Sequence, residues 1–139
     1  MALSSRVAEV FHVDIHPAAR IGKGILLDHA TGVVIGETAV LGDNCVLLHN
    51  VTLGGSGIGT GIRHPNVGNG VLIGAGVSIL GPVSVGRGSK IGAGSVVVTS
   101  LPPHCVAVGV PAKVVKMHSR SEPVMDMDMV GDFVLDYII

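Results

Sequence analysis

Histidines and aspartates are the first candidates for chemistry in this chain. His29 lies in Leu27-Asp28-His29-Ala30-Thr31, His49 follows Leu47 by two positions, and His64 stands beside Arg63. An imidazole exchanges its proton near neutral pH and is the usual general base. Such a base needs a partner that orients its ring, and Asp14 or Asp28 supplies a carboxylate for that purpose. His12, His16, His104 and His118 read as solvated or hydrogen-bonded surface residues. Cys45 and Cys105 stand in no metal-ligand spacing. Cys45 reads as a small inward-facing filler, and no metal is expected. The Gly-rich run from Gly54 lacks the Gly-Lys-Ser/Thr ending of a phosphate-cradling loop.

The elements that must position these groups follow from a strict period of six. Ile15, Ile21 and Leu27 begin it; Ile35, Leu41, Leu47 and Leu53 continue it; Val67, Ile73, Ile79, Val85, Ile91 and Val97 complete it. Gly follows the anchor directly at Gly22, Gly36, Gly42, Gly54, Gly68, Gly74, Gly86 and Gly92. Small or branched residues recur four after the anchor, among them Ala19, Thr31, Ala39, Cys45 and Val71. A helix repeats every 3.6 residues and a strand every two, so a period of six fits neither. It fits a short strand followed by a sharp corner, with three such units closing one triangular coil and coils stacking in parallel. The expected fold is all-β: a left-handed parallel β-helix of about five coils spaced about 4.8 Å apart. The anchors fill its interior, and Gly stands where a corner leaves no room for a side chain.

The frame breaks twice. Two extra residues intervene between Leu27 and Ile35, so His29 and His49 should be stacked neighbours on one face. Between Leu53 and Val67 lies a Gly-rich segment read as a loop projecting from the prism, the kind of place where sites concentrate. The expected organisation is an N-terminal cap over 1–12, a β-helix over 13–115 and a flexible tail over 116–139.

The totals remove several function classes. A formal net charge of −1 gives no field for nucleic acid or anionic membrane, and 2% aromatic residues leave no base-stacking platform. The mean hydropathy of +0.64 is high, yet no run of 18 apolar residues exists and no signal peptide opens the chain. With two unpaired cysteines, a reduced cytoplasmic protein is expected.

Several segments, in order and spacing, resemble the serine acetyltransferases. They are Val13-Asp14-Ile15-His16-Pro17, Asp28-His29-Ala30-Thr31-Gly32, Gly36-Glu37-Thr38-Ala39, Val51-Thr52-Leu53-Gly54-Gly55, Arg63-His64-Pro65 and Ile73-Gly74-Ala75-Gly76. The resemblance covers about residues 5 to 115. It implies transfer of acetyl from acetyl-CoA, a co-substrate and not a resident cofactor, to the hydroxyl of L-serine, with no acyl-enzyme. His29 would be the general base and Asp14 its carboxylate partner. Asp28 would take the serine ammonium, and Arg63 its carboxylate, with His64 beside it. Gly54 and Gly55 would stabilise the oxyanion and, with Gly74, Ala75, Lys90 and Ala93, line the groove for the coenzyme. Sites would form between the subunits of a homotrimer. Full-length members carry a helical domain ahead of the prism that pairs trimers into hexamers and adds an acidic residue to the serine site. Almost none of it is in this sequence, so a trimer is expected. Ile58-Gly59-Thr60-Gly61-Ile62 also replaces a more polar stretch. The last residues, Asp136-Tyr137-Ile138-Ile139, resemble the family's C-terminus, and imply that Ile139 enters the active site of O-acetylserine sulfhydrylase.

Three alternatives stand beside this reading. A related acetyltransferase for a sugar or antibiotic hydroxyl shares the repeat and the His base, but should lack the Asp-His-Ala-Thr-Gly and Arg-His-Pro pair. A zinc-dependent γ-type carbonic anhydrase needs three converging histidines, which His29, His49 and His64 imitate, although Arg63 would repel a metal. A noncatalytic scaffold would bind its partner through the tail alone.

Overall fold

The computed structural model describes residues 13–28, 31–56 and 61–118. The expected cap over 1–12, His29, the middle of the Gly-rich loop at 57–60, and the tail from 119 onward with Ile139 lie outside the described residues.

Short strands recur at the spacing of the repeat. In chain order they are β1 (Asp14–Ile15), β2 (Arg20–Ile21), β3 (Leu26–Leu27), β4 (Val34–Ile35), β5 (Val40–Leu41), β6 (Val46–Leu47), β7 (Thr52–Gly54) and β8 (Asn66–Val67). There follow β9 (Leu72–Ile73), β10 (Ser78–Leu80), β11 (Ser84–Val85), β12 (Lys90–Ile91), β13 (Val96–Val97), β14 (Cys105–Gly109) and β15 (Ala112–Met117). Up to β13, every third strand joins the same sheet. The first sheet runs β1-β4-β7-β10-β13, the second β2-β5-β8-β11, and the third β3-β6-β9-β12-β14 with β15 at its edge. All pairings are parallel except β14 with β15. The chain is a left-handed parallel β-helix, as its period requires.

The register stacks each anchor on its counterpart in the next coil. Ile15, Ile35, Leu53, Ile79 and Val97 form the ladder of the first sheet. Ile21, Leu41, Val67 and Val85 form the second, and Leu27, Leu47, Ile73, Ile91 and Ala107 the third. These ladders meet in one apolar core. Ile21 and Leu27 in the first described coil are only half-buried, with a neighbouring coil on one side alone among the described residues. Backbone amides donate to carbonyls of the neighbouring coil, as in Gly68 N–H to Val85 O at 2.8 Å. No coil is stable by itself; each completes its hydrogen bonds and its apolar contacts on its neighbours.

The Gly after the anchor is explained by close approach. A Cβ on Gly68 would lie 2.7 Å from the backbone nitrogen of Arg87 in the next coil, where nothing can give way. Gly36 differs, since its missing Cβ makes room for the ring of His64.

Thr31 is exposed, and Val33 takes the interior position, because the two inserted residues fall within the corner before β4. After β13 the last two strands, β14 and β15, form an antiparallel hairpin that continues to Met117. His104 and His118 are half-buried and hydrogen-bonded, one of the two forms expected of them. Their rings meet edge to face at 5.9 Å, and the His118 N–H donates to the His104 carbonyl at 2.8 Å. Cys45 is buried inward as expected, its thiol 3.2 Å from the Gly68 carbonyl.

Candidate active site

The residues of interest collect at two of the three corners. At the corner leading from the third sheet into the first stand Asp28, His49 and the turn Gly74-Ala75-Gly76, one coil above another. Backbone bonds tie this column together: Asn50 N–H to Thr31 O at 2.7 Å, Gly76 N–H to His49 O at 2.9 Å, and Gly94 N–H to Ala75 O at 2.8 Å. Asp14 opens β1 at the same corner, its N–H bonded to Val33 O at 2.7 Å. Asp14, Asp28 and His49 are exposed. Leu27 pairs with Leu47, two residues ahead of His49, and His29 lies outside the described residues.

At the far end of the first sheet lies the second corner, with His16, Glu37-Thr38, Gly54-Gly55 and Arg63-His64. The Ser56 N–H donates to the Arg63 carbonyl at 3.1 Å and closes the base of the Gly-rich loop. The loop thus returns Arg63 and His64 against the coil beneath it. Arg63 Nη2 reaches Glu37 Oε1 at 3.1 Å, a half-exposed pair worth at most about 1 kcal/mol. This leaves the rest of the guanidinium fork for an anion. His64 is buried, 8% exposed, and rests in the space left by Gly36 and beside Gly55. Its Nδ1 lies 2.7 Å from Thr38 Oγ1 and 3.2 Å from the Thr38 N–H. Burial pulls the His64 pKa below its ordinary value, and the Arg63 charge beside it acts in the same direction. His16 lies in this corner too, exposed, its Nδ1 accepting the Ala18 N–H at 3.0 Å.

Within one chain the two corners are separate. The strands between them have two or three residues, so one side of the prism, about 10 Å of strand, lies between them. Asp14 and Asp28 fall on one corner, Arg63 and His64 on the other. The expected coenzyme residues divide the same way. Gly54 and Gly55 belong to the second corner, and Gly74, Ala75 and Ala93 to the first, where Gly74 and Ala93 are in backbone contact. Lys90 is buried on β12 between Leu72 and Val106, enclosed instead of facing a groove. Among the described residues no three His, Cys, Asp or Glu side chains gather as metal ligands would. A groove of about 490 Å³ bordered by Ala18, Arg20, Glu37, Thr38 and Ile62 touches none of the expected catalytic residues.

Glu37 and Thr38 were given no role in the sequence, yet their side chains hold Arg63 and His64 in place. The signal was present in Gly36-Glu37-Thr38-Ala39, whose Gly, Glu and Thr each meet the Arg63-His64 pair.

The comparisons with known proteins agree with this architecture. The bacterial transferase hexapeptide family (six repeats) matches residues 64–99. The serine acetyltransferase of Salmonella typhimurium is 58% identical over 126 residues, covering 91% of this chain and 46% of that protein. The crystal structure of Neisseria gonorrhoeae serine acetyltransferase in complex with serine is 62% identical, with a TM-score of 0.75 over 82% of this chain and 46% of that one. The serine acetyltransferase of Brucella abortus in complex with coenzyme A is 56% identical, with a TM-score of 0.79 over 83% and 46%. The chain thus spans under half the length of the relatives it matches. In its repeat, its fold and its sequence identity, the chain is similar to a β-helical part of the serine acetyltransferases of the hexapeptide-repeat class.

Proposed function

We propose that this chain transfers the acetyl group of acetyl-CoA to the hydroxyl of L-serine, giving O-acetylserine for cysteine synthesis and free coenzyme A. The observation that carries the reading is the division of polar residues between two corners of one prism. Each corner holds half of what acyl transfer needs, and a neighbouring prism in a homotrimer would complete it. The serine-bound and coenzyme-A-bound relatives supply the substrates.

In this mechanism His29 takes the proton of the serine hydroxyl as its oxygen attacks the thioester carbonyl, and Asp14 orients the ring. Asp28 holds the substrate ammonium. Arg63, steadied by Glu37, takes the carboxylate, and His64 stands beside it. The backbone N–H groups at Gly54 or Gly55 stabilise the tetrahedral oxyanion. The C–S bond then breaks, and the thiolate takes the proton back from His29. Gly74, Ala75 and Ala93 border the coenzyme, and Lys90, enclosed on β12, supports that border from within. The free thiols of Cys45 and Cys105, both buried, suit the reducing cytoplasm. The Ile138-Ile139 ending is the proposed anchor to O-acetylserine sulfhydrylase, and calorimetry with and without those two residues tests it.

The deciding assay follows thiol release from acetyl-CoA with serine, and with sugar or antibiotic hydroxyl acceptors in its place. Serine-dependent release is expected, and replacing His29 by Ala should lower turnover by about 10² to 10⁴ with an unchanged circular dichroism spectrum. Turnover with another acceptor alone, or full activity in that variant, would overturn the assignment.

A further inference from the structure

The hydroxyl of Thr38 has a fully determined hydrogen-bond role. Its Oγ1 lies 3.1 Å from the backbone nitrogen of Arg63 and 3.1 Å from that of His64. Both nitrogens can only donate, so both lone pairs of the hydroxyl oxygen are taken. Its single hydrogen is left for the third neighbour, Nδ1 of His64 at 2.7 Å. The Thr38 backbone N–H points at the same Nδ1, at 3.2 Å. With two donors directed at it, Nδ1 must present a lone pair. A neutral imidazole carries one N–H, which then resides on Nε2. Nε2 lies between the Cα positions of Gly36 and Gly55, and among the described residues no group accepts its hydrogen.

We propose that Thr38 is a positioning residue that fixes His64 as the Nε2–H tautomer, so that His64 donates a hydrogen bond to a substrate oxygen and does not act as a base. The assignment rests on the reading of Arg63-His64 as substrate-facing, and it divides the labour of the histidines. A base must have an open lone pair, and His64 has given its lone pair to Thr38. Forming the imidazolium would put a hydrogen on Nδ1 against the Thr38 N–H. It would also make the hydroxyl release one backbone amide in order to accept from the ring. The ring therefore stays neutral as pH falls, in agreement with its burial. The charged and titratable groups acting on it are Arg63 and His16, which oppose a positive ring, and Glu37, which favours one. The partner of Nε2–H is an acceptor oxygen, either the serine carboxylate or the thioester carbonyl as it becomes an oxyanion.

Nitrogen-15 NMR of the histidine side chains tests this directly, with the His64 signals assigned by their loss in His64→Gln. In the wild-type chain at neutral pH, Nδ1 of His64 is expected to be unprotonated and Nε2 protonated. Thr38→Val removes the hydroxyl at nearly constant shape; it should give a mixture of tautomers and raise the His64 midpoint towards its ordinary value. Thr38→Ser should restore both. Activity should follow, with kcat/KM falling about tenfold in Thr38→Val and recovering in Thr38→Ser. A rise in KM for serine at constant kcat identifies the carboxylate as the acceptor, and a fall in kcat identifies the oxyanion. A wild-type ring protonated at Nδ1 would overturn the proposal, as would a Thr38→Val ring of unchanged tautomer and midpoint. The NMR readout needs no turnover, so the tautomer lock can stand if the serine reading falls, and the reverse.

Discussion

Gly36 leaves the volume in which the imidazole of His64 rests, and no flexible chain end is there to yield. A methyl group at this position must push the ring away from Thr38 and disturb the Arg63-His64 pair. Gly36→Ala should therefore raise KM for serine at least about tenfold while the coils remain assembled, which steady-state kinetics and circular dichroism would register together. The same histidine gives a pH signature. Its pKa is depressed in the folded chain, mainly by burial and secondarily by Arg63. The unfolded chain therefore binds the proton more readily. The stability that His64 contributes is present above the ordinary histidine pKa of about 6.5, and is lost as pH falls through the folded value. Denaturant unfolding measured from pH 8 down to pH 5 should lose stability more steeply for wild type than for His64→Gln.

At the scale of the strand and corner, Gly68 is the critical kind of residue, because its neighbour is backbone. Gly68→Ala would force a coil-to-coil separation against the Gly68–Val85 hydrogen bond and should destabilise by about 1–3 kcal/mol, readable from a denaturant midpoint. The period of six made this architecture legible before any coordinates, since only a coil of three short strands puts Ile35, Leu53 and Ile79 on one line. What stayed hidden has physical causes. The count of four from Leu27 reaches Thr31, which is exposed; the two inserted residues shift the inward position to Val33. The β14–β15 hairpin left no six-residue mark, as it is an antiparallel turn-back through Val110 and Pro111 and not a further coil. The functions of Glu37 and Thr38 depend on a loop returning 26 and 25 residues later, a distance along the chain that no local pattern encodes.

For the whole molecule, the separated corners lead to a statement about assembly. A site that needs Asp14 and Asp28 together with Arg63 and His64 requires two prisms side by side. Three-fold closure satisfies every corner with one kind of contact. Light scattering should give a mass near three times the 14.1 kDa of one chain. An active preparation with the mass of a single chain would remove the shared site and the mechanism built on it.

A stack of parallel coils has no internal reason to stop. Each finished coil offers the next one a full set of amides, carbonyls and aliphatic anchors. Open-ended growth of this kind makes fibres. In the third sheet the last parallel strand, β14, is answered by β15 running the opposite way, with Lys113 and Lys116 exposed along it. A reversed strand cannot serve as the template for a parallel coil, and charged side chains on an edge repel a flat partner. The hairpin thus ends the parallel stacking of the third sheet, where a further coil would otherwise continue it.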